Sequence, residues 1–98
     1  MEIEILGAHM TEVTNAKPTA LVIDGVLALD AGSLCSSLTL SAQQKLKAIL
    51  ITHQHYDHIR DIPALAMNLS YQGVLQIYST PPVFEVLSTH LLDGKIYP

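Results

Sequence analysis

A single cysteine, Cys35, one phenylalanine and no tryptophan stand in this chain of 98 residues. One cysteine excludes an internal disulfide and any zinc site built on several thiolates, and it suits a reducing compartment. Bases are also few. Five Lys plus Arg against nine Asp plus Glu give a formal charge of −4, which lacks the positive footprint that a nucleic-acid polymer demands of its partner. No apolar run approaches the roughly 20 residues needed to cross a bilayer, and Met1-Glu2-Ile3-Glu4 places acids where a secretory signal carries bases. The expectation is a cytoplasmic protein without a membrane segment. Charged residues make up only 14% of the chain and apolar ones 49%, a balance that excludes a disordered tail and predicts one domain with a modest core.

Apolar runs and turn signals alternate along the whole chain, with no repeat or linker between them. Ile3 and Ile5 alternate with acids in a half-buried strand that ends near Gly7. Ala20 to Ile23 and Val26 to Leu29 form a hairpin about Asp24-Gly25. Gly32 and Ser33 to Ser37 mark a loop, and Ser41 is placed to cap a short helix through Gln44 to Lys47. Ala48 to Thr52 is a short run rich in β-branched residues, which predicts a central strand buried on both faces. Asp61 is a candidate N-cap with Pro63 in the first turn, and Ile62, Leu65, Ala66 and Leu69 share one helical face. Gly73 stops that helix, Val74 to Tyr78 give a further strand, and Thr80-Pro81 opens a helix through Leu92 that Gly94 terminates. From Ala48 onward the order is β-α-β-α, which predicts parallel strands with ligands beyond their carboxyl ends.

Directly past the carboxyl end of the Ala48–Thr52 strand the chain reads Thr52-His53-Gln54-His55-Tyr56-Asp57-His58. Residues two apart in extended backbone point the same way, so His53 and His55 can face one metal while the turn that follows returns Asp57 and His58. Imidazoles and a carboxylate suit zinc, with manganese or iron as alternatives. A histidine cluster that only decorates the loop is the competing reading. Metal charge would also draw a small anionic substrate to an acidic protein.

The H-x-H-x-D-H pattern after a strand resembles the signature of the metallo-β-lactamase-fold hydrolases. Leu6-Gly7, the Asp24-Gly25 hairpin, Leu29-Asp30-Ala31-Gly32 and the motif with its helix follow in that family's order. The resemblance implies an α/β fold, the N-terminal αβ half of an αββα sandwich, with a mixed sheet and helices on one face. It implies two metal ions, one on His53 and His55 and one on Asp57 and His58, with a metal-bound hydroxide as nucleophile and Asp57 in the catalytic set. His55 stands where the redox branch of the family carries glutamate, which points to hydrolysis. The stretch from Tyr78-Ser79-Thr80-Pro81-Pro82 through Thr89-His90-Leu91-Leu92 to Tyr97-Pro98, together with Leu29-Asp30-Ala31-Gly32, resembles the class II cyclic-nucleotide phosphodiesterase group. A phosphodiester, such as a cyclic nucleotide, is therefore the expected substrate, with thioesters or lactones as the alternative.

Family members join two αβ halves and take their remaining ligands from the second. Residues 1–98 correspond to the first, with two ligands per metal where a catalytic zinc normally takes three from the protein. The expected partner is a second half-domain, on another chain or in a missing C-terminal region. The alternatives are a homodimer of metal-binding halves without turnover and a structural module without chemistry. Asp30 and Thr52 are expected to support the ligands from behind. A turn-forming role for Asp30 and plain strand propensity for Thr52 are the competing readings. Arg60 could meet a substrate phosphate or pair with Asp61 or Asp57. His9 is not taken as a ligand, His90 is expected to be structural, Tyr56 exposed and Cys35 unreactive, and Val83, Val86 and Leu87 are read as core.

Overall fold

The computed structural model describes residues 1–69 and 75–92. Within them β1 (Ile3–Gly7), β2 (Ala20–Ile23), β3 (Leu27–Leu29), β4 (Ala48–Leu50) and β5 (Gln76–Tyr78) form one sheet in the order β1-β2-β3-β4-β5. The first three strands pair antiparallel, and β3/β4 and β4/β5 pair parallel. Antiparallel pairing goes with direct return of the chain, whereas the parallel pairs need the longer crossovers that carry helices. Asp24 (φ 52°) and Gly25 (φ 72°) make the β2–β3 turn, closed by Val26 N–H donating to the Ile23 carbonyl at 3.1 Å. Two left-handed residues in succession match the twist of the flanking strands. Val26 belongs to this turn, so β3 starts one residue later than its apolar run.

The helices are α1 (Leu34–Ser37), α2 (Leu40–Gln44), α3 (Tyr56–Ile59), α4 (Ile62–Asn68) and α5 (Pro81–Val86), the last continuing into a π turn over Leu87–Leu91. They cover one face of the sheet. Val22, Ala28 and Ile49 lie side by side in register and, with Ala20, meet Leu34, Ile62, Leu65, Val83 and Leu87 in the core. The neighbouring rows point the other way: Ile3, Ile23, Leu27 and Ala48 in one, and Ile5, Leu21, Leu29, Leu50 and Tyr78 in the next. None of these side chains belongs to the core cluster. The fold class is thus as expected, a mixed sheet with helices on one face.

Several local expectations are corrected. The central strand is not buried on both faces, since Ile49 and Ile51 are buried while Leu50 is 42% exposed; one covered face produces alternation where two would not. Ser33 to Ser37 is not a loop. Ser33 is buried with its hydroxyl donating to the Pro18 carbonyl at 2.7 Å, which turns Leu34 into the core as α1 begins. Thr39 caps α2 in place of Ser41, because Thr39 has the extended backbone of a cap and its Oγ1 accepts from Ala42 N–H at 3.1 Å. That helix ends at Gln44, short of Lys47. Asp61 precedes α4 with Pro63 in the first turn, but its carboxylate reaches Cys35 N–H at 2.9 Å instead of capping. Ala66 is exposed and lies off the buried face of α4. The last helix does not run as one α-helix to Leu92: the Leu92 N–H bonds the Leu87 carbonyl five residues back, and the Thr80 side chain makes no cap bond. Val83 and Leu87 are core as expected, whereas Val86 is half-buried. Gly73, Val74, Gly94 and the Tyr97-Pro98 end lie outside the described residues. None of the described helices is long and apolar enough to cross a membrane.

Leu65 is fully buried beneath the sheet and Met10 is 86% exposed. Leu65→Ala is expected to lower stability by about 2–5 kcal/mol and Met10→Ala by under about 0.5 kcal/mol, read by urea denaturation.

Candidate metal centre

The strand-to-helix turn after β4 carries the motif. His53 is half-buried, His55 and Tyr56 are exposed, and Asp57 and His58 are partly covered in α3. The His53 ring lies 4.1 Å from that of His55 and 5.2 Å from that of His58, centroid to centroid, edge-on in both cases. His58 N–H donates to the His55 carbonyl at 3.0 Å, which folds the second pair of candidate donors back towards the first. All four therefore gather at the carboxyl end of β4, as the parallel topology predicts.

Asp30 holds this turn from behind. It sits at the carboxyl end of β3, buried, with a left-handed backbone (φ 64°) that Asp and Asn adopt more readily than other side-chain-bearing residues. Its own N–H donates to the Leu50 carbonyl at 2.9 Å. Oδ1 accepts from Thr52 N–H at 2.8 Å, and Oδ2 accepts from Thr52 Oγ1 at 2.7 Å and from His58 Nδ1 at 2.9 Å. A carboxylate can only accept in these contacts, so His58 Nδ1 carries a proton, and Nε2 faces away from Asp30. That Nε2 lies 3.3 Å from Asp57 Oδ2. A buried carboxylate thus ties Thr52, next to His53, to His58 on the other side of the turn.

Three imidazoles and a carboxylate are a donor set of zinc-binding chemistry. Among the described residues, however, no three His, Cys, Asp or Glu side chains are arranged to hold one ion by themselves. The donors fit a metal centre that draws further ligands from elsewhere.

The remaining residues sort cleanly. Arg60 does not pair with Asp57: its Nη2 meets Glu12 Oε1 at 2.6 Å and its Nε meets Asp61 Oδ1 at 3.4 Å. Glu12, on the excursion between β1 and β2, was not signalled by the sequence, because the pair is too distant along the chain for any local pattern. Cys35 is half-buried, and that burial, aided by the negative charge of Asp61, pushes its thiol up to about 11. His9 and His90 are exposed and lie on other elements.

Comparison with known proteins places the chain. Residues 19–95 match the model of a beta-lactamase superfamily domain. The chain belongs to the beta-lactamase superfamily. Among its curated relatives is a UPF0173 metal-dependent hydrolase of Cupriavidus necator, 37% identical over 65 residues, which are 66% of this chain and 22% of the relative. Among solved structures it is similar to the metallo-beta-lactamase fold protein YhfI from Bacillus subtilis, with a TM-score of 0.73, 24% identity and coverage of 88% of this chain and 39% of YhfI. The fold is that of the metallo-β-lactamases. The chain spans about a fifth of the length of its curated relative.

Removing Asp30 strips partners from Thr52 and His58 and leaves on a left-handed backbone a residue that adopts it less readily than Asp, so Asp30→Ala is expected to lose about 2–4 kcal/mol. Thr52→Val, which forfeits one hydroxyl contact, is expected to lose about 1 kcal/mol by the same denaturation measurement. The raised thiol of Cys35 keeps the thiolate scarce below pH 11. Its alkylation by iodoacetamide at pH 8 is expected to be at least about tenfold slower than that of a free cysteine and to rise steeply towards pH 11.

Proposed function

We propose that the chain is the N-terminal αβ half of a metal-dependent hydrolase. The observation that carries this reading is the Asp30 carboxylate, which holds His58 by Nδ1 and Thr52 in place behind a turn of three histidines and Asp57. In this proposal His53 and His55 hold one metal, Asp57 and His58 hold a second, and Asp57 is the catalytic carboxylate. Zinc is the expected metal at both positions, with manganese or iron as alternatives. When bound, the metal pair supplies Lewis-acid polarisation and an attacking water of lowered pKa.

The chain's own residues do the rest. Asp30 fixes which nitrogen of His58 is free to ligate, and Thr52 fixes where the backbone leaves β4, so the donors need little rearrangement to bind. Arg60 is engaged by Glu12 and Asp61, which leaves recognition of a small anionic substrate to the metal charge. Family resemblance favours a phosphodiester, with a cyclic nucleotide as the first candidate and thioesters or lactones as the second.

The outward row of Ile5, Leu21, Leu29 and Leu50 supports the partner proposal. Ile5 is 68% exposed, and soluble proteins rarely leave contiguous apolar surface of this kind uncovered. A second half-domain packed there would also bring the missing ligands; a second copy of this chain is the alternative cover, with metal binding but weak turnover. A cytoplasmic setting is part of the proposal, and the free thiol of Cys35 accords with it.

Native mass spectrometry of the zinc-loaded sample is expected to show two ions travelling with this chain and a second half. In the active assembly His55→Ala and Asp57→Ala should each abolish metal-dependent phosphodiester cleavage, while His90→Ala should change it less than about twofold. Equal loss in all three would refute the assignment, and a chain that never retains metal would refute the hydrolase reading.

A further inference from the structure

Gly32 is not among the residues assigned to metal or to its support. Any other L residue there would place its first side-chain carbon 2.0 Å from the Asp57 carbonyl oxygen, 2.7 Å from the Pro18 side chain and 2.7 Å from the Thr19 carbonyl oxygen. The nearest of these is backbone, which cannot swing aside as the tip of a flexible side chain can. The chain is pinned on both sides of this approach. Ala31 N–H donates to the His58 carbonyl at 2.6 Å, Asp61 N–H donates to the Ala31 carbonyl at 2.7 Å, and Gly32 N–H donates to the Thr19 carbonyl at 2.9 Å. The corner after β3 is therefore clamped between β2 and the very turn that carries Asp57 and His58.

We propose that Gly32 is a positioning residue for Asp57 and His58. Its bare α-carbon lets the corner close on the Asp57 carbonyl, and only from that closed corner can one Asp30 carboxylate span Thr52 and His58 together. A side chain at position 32 would push the motif turn away from Asp30 and release His58 Nδ1 from its hydrogen bond. The Asp30–His58 bond at 2.9 Å has little length to spare before it is lost. This inference rests on the reading of Asp57 and His58 as ligands for its importance, but the geometry it invokes exists without metal.

The test is nitrogen-proton correlation NMR of the histidine rings in the metal-free full chain, wild type against Gly32→Ala. In the wild type His58 should show a proton held on Nδ1 and slow to exchange. In Gly32→Ala, with the methyl signals of Ile49 and Leu65 in their native positions, that Nδ1–H should exchange at least tenfold faster. A folded Gly32→Ala chain with unchanged Nδ1–H exchange would overturn the proposal, because a glycine needed only for packing would lower stability and leave the Asp30–His58 bond alone. Should the variant not fold, the wild type decides. Close approach to a carbonyl oxygen shifts one of the two Gly32 α-protons downfield and makes the pair inequivalent; equivalent α-protons at unfolded-chain positions would overturn the proposal equally. Zinc titration of the same samples separates the two readings. Faster Nδ1–H exchange in the variant with no zinc uptake by either chain would strike the metal reading and leave the positioning role of Gly32 intact.

Discussion

The buried carboxylate of Asp30 is the constraint on which the rest of the site depends. A carboxylate can be taken out of water only if its lone pairs are filled, and here three donors from the β4 exit and α3 fill them. Among the described residues no buried side-chain nitrogen or oxygen lacks a partner, so the arrangement carries no unpaired polar group. The same bonds that satisfy Asp30 fix the exit of β4 and the orientation of α3. Folding requirement and site geometry are here one network.

That network explains why a strand only three residues long, β4, can organise the turn that carries the three histidines and Asp57. Its parallel neighbours β3 and β5 set the carboxyl ends level, with Leu29 beside Leu50 and Leu50 beside Tyr78. Asp30 follows Leu29 directly and Thr52 stands two residues after Leu50, so register alone brings them within reach. The Ile51 N–H bond to the Tyr78 carbonyl at 2.8 Å extends the alignment one residue past the ladder. Motif and support meet because two adjacent parallel strands end together.

Much of this was legible in the chain itself. The period-two pattern of Ile3 and Ile5, the Asp24-Gly25 turn and the apolar spacing of Ile62, Leu65 and Leu69 gave strand, hairpin and helix, since each is a local consequence of side-chain direction or backbone preference; the half-burial expected of the first strand is wrong, because Ile3 and Ile5 face away from the helices and are 52% and 68% exposed. The gathering of His53, His55, Asp57 and His58, and the place of Asp30 behind them, followed from motif spacing and resemblance. What escaped was settled by tertiary competition. Asp61 had the look of a cap but found Cys35 N–H. Thr39 outdid Ser41 because the extended backbone sits one residue before Leu40. Leu50 read as core because a short apolar run does not reveal how many faces are covered, and the Arg60–Glu12 pair joins residues that no local pattern connects.

The uncovered rows of the sheet bear on what the word stability means for this molecule. A surface made of Ile5, Leu21, Leu29 and Leu50 gains free energy from any apolar body laid against it, and that gain grows with the logarithm of the body's concentration. The unfolding midpoint then becomes a titration curve of the covering partner. The helices, the Asp30 network and the motif turn all lie on or at the end of this one sheet, so they would share that dependence: occupancy of a face that carries none of the histidines would set the fraction of molecules in which the histidines are assembled.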